Sequence, residues 1–213
     1  VDSRRETGLF SEDDLRVLAH LASVAAVKIE NIRLLDQARK SDVLKAELEQ
    51  AAIIQESLLP ARGPEIPGYQ VYGRSLPCRS VGGDWFDYIE MQRGRFAVGL
   101  GDVAGRGLPA ALLMCCFHAS LRALSGLGLS EAQTMARLNR LLCPRFPSNR
   151  FVTSFYGVLD PLEHRMAYVN AGQDPPYLIP RGDEARALPL IGMPLGLFEE
   201  AAYETGAVTF GSG

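Results

Sequence analysis

Two aspartates in this chain follow directly on glycine: Asp84 in VGGDWFDY (81–88) and Asp102 in VGLGDVAGRGLPAALLM (98–114). A carboxylate beside glycine near a strand end is not crowded by neighbouring side chains, which is what a hard divalent cation needs. Mg²⁺ and Mn²⁺ take oxygen ligands and keep several waters, so few protein groups suffice. The glycines allow the backbone to turn and to bring a main-chain carbonyl towards such an ion. Plain Asp-Gly turns use the same residues, so neither segment is decisive by itself. A glycine-rich loop feeding a helix can also cradle phosphate directly. GLGDVAGRG, however, has neither the Gly-Lys-Ser/Thr ending of a nucleotide loop nor the downstream acid of a dinucleotide fingerprint, which argues against nucleotide binding.

The elements around these segments change character along the chain. Ser11 followed by Glu12, Asp13 and Asp14 reads as a capped, dipole-compensated helix start, with Phe10 and Leu15 at staple spacing. Leu15, Leu18, Ala22, Ala25, Ile29 and Ile32 then recur at steps of three and four, an amphipathic stripe. The sequence stays free of Gly and Pro up to Pro60, and the stripe resumes at Leu44, Leu48, Ala51 and Leu58. A dimeric coiled-coil linker is the preferred reading; a helix packed on its own domain is the alternative. Gly63, Pro64, Pro67 and Gly68 mark a boundary. Beyond it come the β-like runs YQVYGR, RFAVGLGD, FVTSFYGVLD, RMAYVNAG and PYLIP, with DPLEH (160–164) as a hairpin loop. Two helices are expected between them, one from about Pro109 to Leu124 and one capped by Ser130 with Gln133 as a capping box. Grouped helices rather than strict strand–helix alternation indicate an α+β layered domain.

Composition sets outer limits. Hydrophobic residues make up 47% and charged residues 22% of 213 residues, ordinary for a globular chain with a sizeable core. A net charge of -3 argues against sequence-independent nucleic-acid binding. No apolar run approaches the roughly 20 residues of a membrane span, and with no apolar stretch behind the charged VDSRRE no signal peptide is expected. Cys78, Cys115, Cys116 and Cys143 form no CxxC pair and are expected as small buried hydrophobes in a reducing cytoplasm. His20, His118 and His164 lack zinc-ligand spacing and are expected to be structural or exposed.

Taken together, VGGDWFDY and GDVAGRGLPAALLM resemble the bacterial PPM-type serine/threonine phosphatases of the SpoIIE/RsbU-like branch. IIQESLLP (53–60), NAGQDPPYLI (170–179) and GMPLGLF (192–198) resemble the same family in the same order. The segment from Gly8 to Leu35 is similar to the last helix of a GAF sensor domain. The implied organisation is a GAF-like terminal helix over 1–32, a helical linker over 33–62 and a phosphatase domain over 63–213. The resemblance implies an α-β-β-α sandwich with a two-metal centre of Mn²⁺ or Mg²⁺, at which an activated water attacks a phosphoserine or phosphothreonine. By position, Asp102 bridges the metals, the Val103 carbonyl is a further ligand, and Asp84 binds directly or through water. Asp87 is a weaker ligand candidate, with a surface turn or a supporting, orienting carboxylate as the alternatives, and Asn170 and Gln173 are candidates for supporting positions.

The resemblance further implies a cytoplasmic signalling enzyme acting on a protein of an anti-sigma-factor pathway, with homodimerisation through the N-terminal helices. Two departures stand out. Gln173 occupies a position where the family usually has His, and it cannot titrate. The acidic residues that family members carry further on are not reached by Gly213, so weak activity is expected of this chain. The competing expectation is a non-catalytic dimerisation and interaction module with a phosphatase-like fold.

Overall fold

The computed structural model describes residues 11–76, 80–189 and 192–211. The chain divides into two compact units between Glu47 and Leu48. This division falls inside a helix, earlier than the turn-rich boundary at 63–68. Helix α1 spans Glu12–Leu58. Its start is capped as the sequence predicts: the Asp14 N–H donates to Ser11 Oγ at 3.2 Å, and the Asp14 carboxylate accepts from the Ser11 N–H at 2.9 Å. The Phe10–Leu15 staple lies outside the described residues. None of the residues of α1 is fully buried, and Leu18, Leu21, Ile29 and Ile32 are exposed.

After α1, residues 61–76 run without strand or helix. YQVYGR alternates like a strand, yet among the described residues its only sheet-like contact is an isolated bridge between Ile66 and Tyr69. Alternation alone does not make a strand when no ladder partner is at hand.

The remaining elements are β1 (Trp85–Glu90), β2 (Phe96–Val103), α2 (Leu108–Ser125), α3 (Glu131–Leu142), β3 (Val152–Asp160), β4 (Arg165–Ala171), β5 (Tyr177–Leu178), β6 (Arg186–Ala187) and β7 (Gly206–Thr209). They form one five-stranded sheet in the order β1-β2-β3-β4-β7 and a two-stranded pair β5-β6. All ladders between these strands are antiparallel, and the helices are grouped, so the α+β class holds. DPLEH makes the β3–β4 hairpin, with His164 in the left-handed region at φ 48°. The α3 capping box is complete, with Ser130 Oγ accepting from the Gln133 N–H at 3.3 Å and Gln133 Oε1 accepting from the Ser130 N–H at 3.1 Å.

Strand alternation sends Trp85, Val103, Val152, Tyr156 and Val169 to one face. There they pack with Met114, Phe117 and Leu121 of α2 and Met135 and Leu138 of α3 as one core. Burial of such side chains contributes about 1.5–3 kcal/mol each. Trp85 is buried against Phe117 and His118. Its indole needs space on the neighbouring strand: a Cβ on Gly99 would lie 2.7 Å from Trp85 Cη2, and one on Gly101 would lie 2.6 Å from Nε1. Two glycines of the GLGD segment therefore make room for a tryptophan.

Helix α2 is long and apolar enough, at 18 residues, to satisfy the length and hydropathy of a membrane span, contrary to the expectation that none would. Its buried residues include Met114, Phe117, His118 and Leu121, and they pack in the core. A helix that is apolar nearly all round suits a domain core equally well. The cysteines also differ from expectation: Cys115 and Cys143 are half-buried and Cys116 is exposed, all three as free thiols. Cys78 lies outside the described residues.

Candidate active site

Asp84 directly precedes β1, and Asp102 is the penultimate residue of β2. Because Trp85 pairs with Gly101, the two aspartates come level at the same end of adjacent antiparallel strands. Both line one cavity, and Asp84 acts on the Asp102 carboxyl. Partial desolvation first, then the charge and hydrogen bond of Asp84, push the Asp102 carboxyl above its ordinary value, with a backbone hydrogen bond from Val103 opposing. Two neighbouring carboxylates repel when both are ionised, and either a proton or a cation relieves that repulsion.

The turn before Asp84 fits closely over the end of β2. The Val103 N–H donates to the Gly83 carbonyl at 3.3 Å. A Cβ on Gly83 would stand 2.6 Å from the Val103 carbonyl oxygen and 2.9 Å from an Asp102 carboxylate oxygen. Only glycine allows this approach, which brings the Val103 carbonyl beside the turn that carries Asp84. Gln55 of α1 holds the same turn from the other side, as its amide bonds both the N–H and the carbonyl of Gly82.

On the far side of Asp102 the chain passes through Ala104–Gly107 into α2. Arg150 Nη1 donates to the Ala104 carbonyl at 2.7 Å. Gly105 adopts φ 123°, and a side chain there would collide with the Arg150 guanidinium. Gly107 is the N-cap of α2 with no side-chain cap, and Pro109 sits in the first turn. These turns enclose a cavity of about 470 Å³ lined among others by Gln55, Glu56, Asp84, Asp102, Arg106 and Gly107.

The donor chemistry is that of a hard divalent cation: adjacent carboxylates, a nearby main-chain carbonyl and room for water. Among the described residues no three His, Cys, Asp or Glu side chains come together as a metal-binding group. The pair thus fits such an ion only with water or further ligands in the remaining positions.

The supporting candidates separate. Asn170 is buried at the end of β4, where its Nδ2 donates to the Gln173 carbonyl at 2.9 Å and its Oδ1 accepts from the Gln173 N–H at 2.8 Å. This closes the NAGQ turn. The bridge between Ser154 and Gly172 sets that turn beside β3 at the Asp102 end of the sheet, since Asp102 pairs with Thr153. Neither Asn170 nor Gln173 lines the cavity.

Asp87 stands elsewhere. It is buried on the helix-facing side of β1, accepting from His118 Nε2 at 2.7 Å and from Arg122 Nη1 at 2.6 Å through the same oxygen. Its other oxygen accepts from the Tyr88 N–H at 2.8 Å. Asp87 is therefore neither a surface turn nor a neighbour of the Asp84–Asp102 pair; it ties β1 to α2.

Sequence reasoning did not single out Gln55, Glu56, Arg106 or Arg150. Gln55 and Glu56 lie in IIQESLLP and Arg106 in GDVAGRG, so both segments were in view without roles for these side chains. For Arg150 the sequence carries no signal, because its role depends on a contact 46 residues away.

Known proteins resemble this chain in sequence and in fold. The chain is 26% identical over 162 residues to the phosphoserine phosphatase RsbU of Bacillus subtilis, covering 76% of this chain and 48% of that protein. It is 26% identical over 172 residues to the phosphoserine phosphatase RsbP of the same organism, covering 78% of this chain and 42% of that one. The chain thus spans less than half the length of either relative. Its fold is similar to the SiaA-PP2C domain of Pseudomonas aeruginosa, with a TM-score of 0.66 at 20% identity over 80% of this chain and 69% of that one. Residues 92–213, which include β2 with Asp102 but neither β1 nor Asp84, match the family described as Stage II sporulation protein E, and the chain belongs to that SpoIIE family.

Proposed function

We propose that the Asp84–Asp102 edge is the catalytic centre of a metal-dependent protein serine/threonine phosphatase. The observation that carries this reading is that two carboxylates, level on adjacent strands, line one cavity that also presents a cationic side chain. Family membership and the two relatives named phosphoserine phosphatases support it.

Asp102 and Asp84, with the Val103 carbonyl, would hold Mn²⁺ or Mg²⁺. A bound ion of this kind supplies an activated water and neutralises charge on a phosphoryl group. Arg106, exposed on the same cavity, offers a guanidinium whose geometry suits phosphoryl oxygens. Gly83 and Arg150 hold the two flanking turns so that the carboxylates stay aligned. Asn170 fixes the neighbouring turn, and Gln173 takes no proton in this scheme.

The relatives named phosphoserine phosphatases support a phosphoprotein substrate, and the class proposed is a phosphoserine or phosphothreonine on a bacterial regulatory protein of the anti-sigma-factor antagonist kind. The exposed apolar stripe of α1 supports a homodimeric coiled coil in a cytoplasmic signalling protein, in which a GAF-like sensor acts on the phosphatase domain through that helix. Two carboxylates bind Mg²⁺ or Mn²⁺ weakly, so this chain is expected to be a feeble enzyme and a chain extended beyond Gly213 a competent one. Release of phosphate from phosphoserine proteins, with and without Mn²⁺, tests the reading. Metal-dependent release supports it, whereas inertness of folded, extended protein towards several such substrates favours the interaction module.

A further inference from the structure

Glu56 and Arg106 line one cavity and carry opposite charge. Both are exposed. Among the described residues neither side chain forms an ion pair or a hydrogen bond. Two unlike charges thus share a cavity, and neither is neutralised by the fold.

Helix energetics do not account for Glu56. The carbonyl end of a helix carries partial negative charge, so a carboxylate there is unfavourable and a basic residue is its natural complement. Glu56 nevertheless lies in the last turn of α1, and that turn holds no basic residue. The helix closes as the Leu59 N–H donates to the Glu56 carbonyl at 3.1 Å. A side chain and a helix end therefore add their negative potential at the same place. Ala52, Leu59 and Val81 supply apolar lining to the cavity, and Leu59 packs against the core. The volume of about 470 Å³ lies within the range of about 300–1,000 Å³ that holds a drug-sized ligand. A phosphoryl group and a few waters, at about 30 Å³ per water, leave part of it for the rest of a substrate.

We propose that Glu56 is a specificity residue, and that the cavity selects phosphoserine segments with lysine or arginine next to the phosphoserine. The phosphoryl group lies towards Asp84, Asp102 and Arg106, and the neighbouring basic head group lies against Glu56 and the end of α1. The methylene stem of that basic side chain covers the apolar lining, as long cationic side chains do on apolar surface. An acidic neighbour would meet Glu56 as a like charge and be disfavoured. This rests on the phosphatase reading given above and adds to it the charge that the substrate carries beside its phosphate.

The test measures binding to this chain, in Mn²⁺, of dye-labelled peptides in which a phosphonate that cannot be hydrolysed replaces the phosphate. The peptides carry lysine, glutamine or glutamate on both sides of the phosphonate residue, and fluorescence anisotropy reads their affinity. The lysine peptide is expected to bind about threefold more tightly than the glutamine one, the scale of one exposed ion pair, and the glutamate peptide most weakly. Glu56→Gln should close the gap between lysine and glutamine peptides, and Glu56→Lys should invert it. Glu49→Gln, which removes the same charge from α1 outside the cavity, should keep the preference. Equal binding of the three peptides by the parent chain overturns the proposal, and so does a lysine preference that survives Glu56→Gln. Loss of Mn²⁺ binding in Glu56→Gln, followed by calorimetry, would make Glu56 a metal ligand and overturn it as well. Plain-serine peptides separate this claim from the one beneath it. If they bind as tightly as the phosphonates, the phosphatase reading fails, while the lysine preference still reports on Glu56. A folded chain that binds none of the peptides overturns both.

Discussion

Asp87 and Asp102 sit on adjacent strands but on opposite faces of the sheet. The ladder sets Asp87 opposite Gly99 and Trp85 opposite Gly101, so strand alternation turns Asp87 towards α2 and Asp102 away from it. On the helix side, Asp87 is locked to His118 and Arg122, one turn apart on α2. On the other, Asp102 meets Asp84 at the cavity.

Asp87→Ala should therefore be a stability mutant and not a metal mutant. Removing the carboxylate strands buried His118, while half-exposed Arg122 can turn to water. A loss of about 3 kcal/mol is expected, at the lower end for a broken buried pair. Denaturant unfolding would show it, and the Mn²⁺ affinity of the folded fraction should stay within about twofold. A much larger loss of affinity would return Asp87 to the metal site.

Asp102 should oppose the stability of the metal-free fold at neutral pH. Its carboxyl titrates above its ordinary value in the fold, so the folded state holds the proton more tightly than the unfolded chain. Ionisation then costs stability, and the cost vanishes as pH falls through the raised folded value. Asp102→Asn is expected to stabilise metal-free protein at pH 7 by less than ~1 kcal/mol after solvent screening, read as a higher thermal midpoint. The gain should shrink to nothing in acid, where the parent carboxyl is protonated. An advantage that grows as pH falls would contradict the assignment.

The floor beneath Trp85 can be probed by a double-mutant cycle. Gly99→Ala places a methyl 2.7 Å from Cη2 of the indole and should cost about 1–3 kcal/mol. In a Trp85→Phe background the outer ring is absent and most of that cost should disappear. Additive losses would mean that Gly99 is required for another reason.

Self-association through α1 is checked by light scattering. The parent chain is expected to run as a dimer, and Ile29→Glu with Ile32→Glu to yield monomer without loss of the core fold. A parent chain that is monomeric at high concentration would remove the coiled-coil reading.

Much of this architecture was legible from local chemistry. Ser130 and Gln133 announce α3 because a capping box is closed within four residues, and the β-branched and aromatic run FVTSFYGVLD marks β3 for the same local reason. The Gly-Asp pairs pointed to Asp84 and Asp102 because uncrowded carboxylates are a property of neighbouring residues. What stayed hidden depends on partners distant in sequence. WFDYIE did not read as a strand because a charged residue sits among its buried positions, and that charge is tolerable only with His118 and Arg122 present. GAVT is too short to mark β7 until β4 supplies its ladder. YQVYGR shows the converse, a strand-like pattern with no ladder partner.

The most direct measurement of the central claim is phosphate release from a phosphoserine protein by a chain extended beyond Gly213, with Mn²⁺ and with chelator, alongside its Asp102→Asn variant. The account predicts turnover only with metal, reduced about 100-fold or more by the substitution, since loss of even a supporting group at a metal site costs 10–100-fold. Turnover that survives either chelation or the loss of Asp102 would contradict it.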